Sequence, residues 1–276
     1  MNRYMYKLLI FIVLLTACSA DSSKSVFAIK GYDCPKMQSV VLEDPLKEIS
    51  GIAYDSKTNT FLAINDEHGT IYKLDAATYR ILEKFHFGEK GDYEEIQLLN
   101  DIIYVLRSDG TIFKMNYDGK EITNAETVEY TEKKAEFESF YIRSKTNELV
   151  LIPKNSKQET KEKQTAAYIL NLNTNKYSLS DACILNWEDL KKASTLHPSA
   201  VAIHPVTKEI YLLASIEKRL IVMDEFWKVL AEYTLDSKSF EQPEGITFDA
   251  RANLYVSNEA GDHKPTIIKI PILTEK

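Results

Sequence analysis

One pattern returns five times along this chain, and it sets the fold. A small or acidic residue precedes an apolar strand, then a turn and a second apolar strand, starting at Glu48, Asp92, Glu136, His197 and Gln242. The spacings are 44, 44, 61 and 45 residues. A period of this length, built from short strands that alternate apolar and polar residues, is the signature of a four-stranded β-propeller blade. Helical repeats of similar length would place apolar residues at i, i+3 and i+4, and these strands do not. In the first repeat the strands read SGIAYD, TFLAIN, GTIYKLD and YRILEKFHF, with turn signals at 55–59 and 68–69. The longer spacing holds an insertion. Residues 155–165 are charged and aperiodic and predict an exposed loop, and Asn186–Leu190 predicts a short helix.

The fifth repeat runs out of chain before its fourth strand, while residues 37–42 (MQSVVL) form an apolar segment with no blade of its own. The expectation is an all-β propeller of five four-stranded blades, the last closed by this N-terminal strand. Closure hides edges that an open array would expose. A six-bladed ring needs another blade, for which the chain has no residues.

The first 17 residues read as a signal peptide. Arg3 and Lys7 precede the apolar run Leu8–Leu15, which is too short to span a bilayer. Leu15-Thr16-Ala17-Cys18 looks like a bacterial lipobox, so Cys18 is the expected lipidated N-terminus. Residues 18–30 then form a tether and 31–276 a single domain. Without residues 1–17 the net charge becomes −9, which argues against nucleic acid as a partner. The expected partners are a membrane, through the lipid, and a small molecule or envelope protein, with the chain itself a monomer. Which membrane it joins stays open. Cys34 and Cys183 have no metal-ligand spacing, and whether they pair is open too.

In a propeller the first strand of each blade lines the central channel, and its start lies at one mouth. Two aligned positions fall there. One holds Glu48, Asp92, Glu136, His197 and Gln242; the other holds Ser50, Glu94, Glu138, Ser199 and Glu244. Spaced by two on a strand, they should share a face. Six acids, Glu48, Asp92, Glu94, Glu136, Glu138 and Glu244, are thus the candidate metal ligands. Asn65, Asp66, His197, Asn258 and Glu259 are candidate ligand-binding residues at the same level. So many like charges need protons, protein donors or a cation. Oxygen-only donors suit a hard cation, Ca²⁺ ahead of Mg²⁺. The alternative is that the acids cap unpaired backbone N–H groups or hold ordered water. His68, His86, His204 and His263 read as surface residues, and the tyrosines as packing. No nucleophile elbow, phosphate-binding glycine loop, HExxH or EF-hand motif is present.

The segments EISGIAYDSKTNTFLAIND, GDYEEIQLLNDIIYVL, EFESFYI, HPSAVAIHPVTKEIYLLAS and QPEGITFDARANLYVSNEAG resemble the SdiA-regulated (YjiK-like) family of exported bacterial propellers over roughly residues 40–270. That family is similar in turn to phytase-like esterase and calcium-dependent lactonase propellers, which imply an acidic, Ca²⁺-binding channel mouth. Three functions stay open: a lipid-anchored propeller binding Ca²⁺ and a small ligand without catalysis, a metal-assisted esterase, lactonase or phosphoesterase, and an envelope scaffold.

Overall fold

A computed structural model of the chain describes residues 27–131, 135–154, 157–191 and 193–273. The signal segment and Cys18 lie outside the described residues. The first strand is β1 (Gln38–Val41). Blade 1 follows as β2 (Ile49–Asp55), β3 (Thr60–Asn65), β4 (His68–Asp75) and β5 (Ile81–Lys90). Blade 2 is β6 (Tyr93–Leu99), β7 (Ile102–Arg107), β8 (Ile112–Tyr117) and β9 (Ile122–Val128). Blade 3 is β10 (Phe137–Arg143), β11 (Glu148–Pro153), β12 (Gln164–Asn171) and β13 (Lys176–Asn186). Blade 4 is β14 (Pro198–Ile203), β15 (Ile210–Ala214), β16 (Arg219–Met223) and β17 (Val229–Thr234). Blade 5 holds β18 (Pro243–Phe248), β19 (Leu254–Asn258) and β20 (Thr266–Ile270).

Each blade is an antiparallel sheet in simple meander order, and the fifth has the order β1-β20-β19-β18. Gln38 pairs with Lys269 and Val41 with Thr266. The orphan segment therefore closes the ring, as the missing fourth strand requires. The innermost strands meet around the axis: β2 contacts β6 and β18, β10 contacts β6 and β14, and β14 contacts β18.

The core consists of five clusters, one between each pair of neighbouring blades. Between blades 1 and 2 it holds Leu62, Ile64, Ile96, Ile103 and Met115. Between blades 5 and 1 it holds Ile49, Ile52, Phe61, Tyr255 and Ile267. Both faces of an inner strand are thus covered, which explains why β3 is buried at every position. Fully burying one such Ile or Phe contributes about 1.5–3 kcal/mol.

Three details differ from the sequence reading. Phe27–Lys30, counted there with the tether, pack onto the domain: Ile29 is buried between blades 4 and 5, and the Phe27 ring lies 5.3 Å from Phe240. The charged insertion contains a short helix, α1 (Lys157–Glu162), rather than loop alone. The predicted helix after Asn186 is a single 3₁₀ turn, Trp187–Asp189, whose Trp187 is buried. Cys34 and Cys183 are free thiols, buried in different interblade clusters.

Candidate functional site at the channel mouth

Every innermost strand carries a β-bulge at the same place. The register shifts between Ile49 and Gly51, Tyr93 and Glu95, Phe137 and Ser139, Pro198 and Ala200, and Pro243 and Gly245. The extra residues are Ser50, Glu94, Glu138, Ser199 and Glu244, the second of the two aligned positions. A bulge leaves its extra residue outside the ladder and re-aims its side chain. The glycine after Glu244 serves the same packing. A Cβ on Gly245 would fall 2.3 Å from Ser257 Oγ.

The bulges build a ring of three glutamates and two serines. Its cation comes from the strand that returns to the mouth. Lys154, the residue after β11, ion-pairs with Glu138, and its backbone N–H donates to the Glu136 carbonyl at 2.7 Å. Asp66, Ser108, Ser215 and Glu259 occupy the equivalent position in the other blades. Glu94 and Glu244 keep some surface open to the channel, yet protein crowds them closely enough to dominate their titration. Burial, then the charges of Glu138 and Asp92, push Glu94 up to about 10. Burial, then Glu138, push Glu244 to about 7 against a hydrogen bond from Ser215. Burial also raises Glu138, and Lys154 opposes it. At neutral pH this ring holds protons as well as a lysine.

A second cluster lies on the rim where blades 5 and 1 meet. Glu48 and Glu259 share a hydrogen bond, which lowers Glu48; burial first, then Glu48, raise Glu259 to about 8. Asp66 rises to about 6 through burial and then the Glu48 charge. Lys47 Nζ lies 3.6 Å from Glu48. An open cavity of ≈ 330 Å³ adjoins this rim, lined by Lys47, Glu48, Asn65, Glu67 and His68 among others.

The six predicted acids therefore divide. Glu94, Glu138 and Glu244 reach the ring. Glu48 joins the seam cluster, while Asp92 and Glu136 are exposed at the rim, just before their strands begin. The two aligned positions do not behave as one strand face, because the bulge interrupts the alternation between them. Asn65 is occupied structurally, and Asn258 through its amide nitrogen alone, its buried Oδ1 having no protein partner. Asn65 donates to the Pro45 carbonyl and accepts from His68 N; Asn258 donates to the Ser239 carbonyl and to Thr266 Oγ1. His197 is held by Glu217, with Nδ1 at 2.7 Å from Oε1 and the backbone N–H donating to Oε2 at 3.1 Å. His204 is a core residue and not a surface one. It is 4% exposed between Tyr211 and Phe248, and its Nδ1 accepts from the Thr207 N–H at 3.0 Å. Lys154 was missed. Aligning the last position of the second-strand ends (Asp66, Ser108, Lys154, Ser215, Glu259) would have shown one cation among the acids and hydroxyls.

The donor set is all oxygen, as a hard cation prefers. It is not a closed cage: among the described residues no three His, Cys, Asp or Glu side chains are grouped to hold a metal ion. Lys154 stands inside the ring, and the rim acids are spread around it.

No curated protein matches the sequence. Among solved structures, Myxococcus xanthus glutaminyl cyclase is similar at TM-score 0.57 and 11% identity, over 86% of this chain and 96% of that one. The PQQ-bound form of aldose sugar dehydrogenase from Streptomyces coelicolor is similar at TM-score 0.55 and 12% identity, over 86% and 99%. A luciferin-regenerating enzyme gives TM-score 0.52 and 11% identity, over 86% and 96%. At these identities the likeness is one of fold. The sequence itself matches the SdiA-regulated family over residues 29–261, and the chain belongs to that family.

Proposed function

We propose that this chain is a lipid-anchored propeller of the bacterial envelope that binds a divalent cation, Ca²⁺ ahead of Mg²⁺, at its acidic channel mouth, with a small ligand or partner beside it. One observation carries the reading. Five equivalent bulges deliver three glutamates to one ring, where a single lysine offsets them and protons make up the difference. A divalent ion would enter by releasing Lys154 from Glu138 and replacing the protons. Binding to the folded state alone would stabilise it by about 2.7 kcal/mol at a hundredfold excess over the dissociation constant. The lipid anchor rests on Leu15-Thr16-Ala17-Cys18. Among the described residues no helix is long and apolar enough to cross a membrane.

Calorimetric titration of the soluble domain with Ca²⁺ and with Mg²⁺, paired with melts in chelator, tests the cation. We expect heat of binding and a higher melting temperature, both weakened by Glu138→Gln and Glu94→Gln and untouched by Glu188→Gln. Equal melting temperatures with no binding heat would overturn it. The anchor is tested by Cys18→Ser, expected to leave the protein unlipidated and in the soluble fraction.

The His197–Glu217 pair favours a second reading, hydrolysis of an ester, lactone or phosphoester. A carboxylate that fixes one imidazole nitrogen is the arrangement used to orient a general base. Turnover of aryl ester, lactone and phosphoester probes that is lost in His197→Gln would support it; no turnover above buffer would end it.

A further inference from the structure

The geometry points to a second polar site deeper in the channel: a position for a small carboxylic acid group at the ring axis, filled in this chain by its own Glu95. The inference does not depend on the cation proposal. Innermost strands turn a free backbone edge towards the axis, and those edge groups need partners. Glu95 supplies them. Its side chain is fully buried, and its Oε1 accepts from the Ile96 N–H at 2.9 Å. The Val201 backbone lies close enough to favour the ionised form of the same carboxyl, and the Val201 carbonyl accepts from Gln97 Nε2 at 3.3 Å. Gln97 belongs to blade 2 and Val201 to blade 4, so their bond spans the channel and not an interblade joint. Register explains the meeting. Ile96 and Val201 are both the second ladder residue after the bulge, at one level of the ring.

Small residues make room at the level of Glu95. The equivalent positions are Gly51, Ser139, Ala200 and Gly245. A Cβ on Gly51 would already lie 3.1 Å from Glu95 Oε1. The surroundings stay polar: Glu95 Oε2 and the hydroxyls of the fully buried Ser139 and Ser257 have no protein partner. Glu95 and Gln97 therefore bridge the channel below the ring of bulged residues. A monocarboxylate of the size of acetate matches the group that Glu95 contributes.

The test is chemical rescue. Glu95→Ala removes the carboxyl, leaves the Ile96 amide without its acceptor and opens a hole at the axis, so its melting temperature should fall by roughly 5–10 °C. Acetate should raise that melting temperature by several degrees over chloride at equal ionic strength, and titration calorimetry should show acetate binding to Glu95→Ala only. Glu95→Gln keeps the acceptor oxygen and should melt near the wild type without responding to acetate. Should Glu95→Ala not fold, refolding from denaturant with and without acetate decides, and recovery only with acetate supports the site. The inference is overturned if Glu95→Ala melts like the wild type, if acetate acts on it no more than on the wild type, or if refolding fails equally in both buffers.

Discussion

Asp75 and Asp249 close turns on the face opposite the channel mouth, and Glu94 and Glu244 line the mouth. The residue types are alike and their surroundings are opposite. The Thr78 hydroxyl, then the N–H groups of Thr78 and Ala77, donate to Asp75 and hold it below the usual carboxylate range. Asp249 accepts from the N–H groups of Arg251 and Asn253, from Asn253 Nδ2 and from the Tyr255 hydroxyl. Glu94 and Glu244 are pushed upward by burial and by each other's neighbours. On the far face, Asp75 stabilises its turn as an anion, and Asp249 binds its turn through four hydrogen bonds. Glu94 and Glu244 work against stability whenever they ionise, so their place in the ring is not explained by folding.

Four substitutions sharpen or break this contrast. The largest effect belongs to the far face. Asp249→Ala removes four hydrogen bonds, and at about 1 kcal/mol each should lower stability by about 3–4 kcal/mol in urea denaturation at neutral pH. Next comes Lys154→Met, which leaves the ring acids without their cation. The Lys154 side chain is 53% exposed, so solvent screening reduces the loss to about 1–2 kcal/mol at pH 8. The difference should shrink as pH falls and Glu138 takes a proton in either protein. An unchanged pH profile would separate Lys154 from the ring.

Glu94→Gln should act in the opposite direction. A carboxyl raised in the folded state contributes fully below its unfolded value, and that contribution is lost as pH rises through the folded one. With Glu244 at about 7, Glu259 at about 8 and Glu94 at about 10, wild-type stability should decline from about pH 5 towards pH 9. The variant should flatten part of that decline and gain about 1 kcal/mol at pH 8. A loss at pH 8 would mean that the glutamate is needed as an anion. The smallest effect is expected from Asp75→Asn, which keeps the acceptor oxygen but loses its charge. Its depressed value makes the contribution present above the unfolded carboxylate range and absent in acid. A slight drop in melting temperature at pH 7 should therefore fade as pH falls below the usual carboxylate range; a drop that stays constant down to full protonation would refute the charge argument.

The blades were legible because each repeat holds short apolar strands, the inner ones nearly continuous since both faces are covered, and the turns between carry their own residues. The closing strand was legible by subtraction: MQSVVL had no blade and the last blade lacked a strand. The ring positions were legible too, since Ser50, Glu94, Glu138, Ser199 and Glu244 recur at one offset. Their bulge was not. Nothing in PEGITF or YEEIQL marks which residue leaves the ladder, because that depends on how closely five strands crowd an axis. Lys154 and Glu95 were passed over for the same reason: each acts on a partner in another strand or another blade. Asn65 looked like a ligand because an amide spent on a loop carbonyl is indistinguishable in sequence from one facing a site.

The latch between β1 and β20 also sets an order of assembly. Gln38 leaves the ribosome early, and its partner Lys269 follows only after all other strands have been made. Compared with a tight hairpin, joining ends so far apart adds about 4 kcal/mol of chain entropy, some six doublings at ~0.6 kcal/mol each. That sum is modest beside the interblade core, so the penalty falls on timing. Until β20 arrives, the apolar strand VV of β1 and the open edge of blade 5 are both available to other chains. The same four residues that finish the ring are thus the ones most in need of protection while the chain is being made.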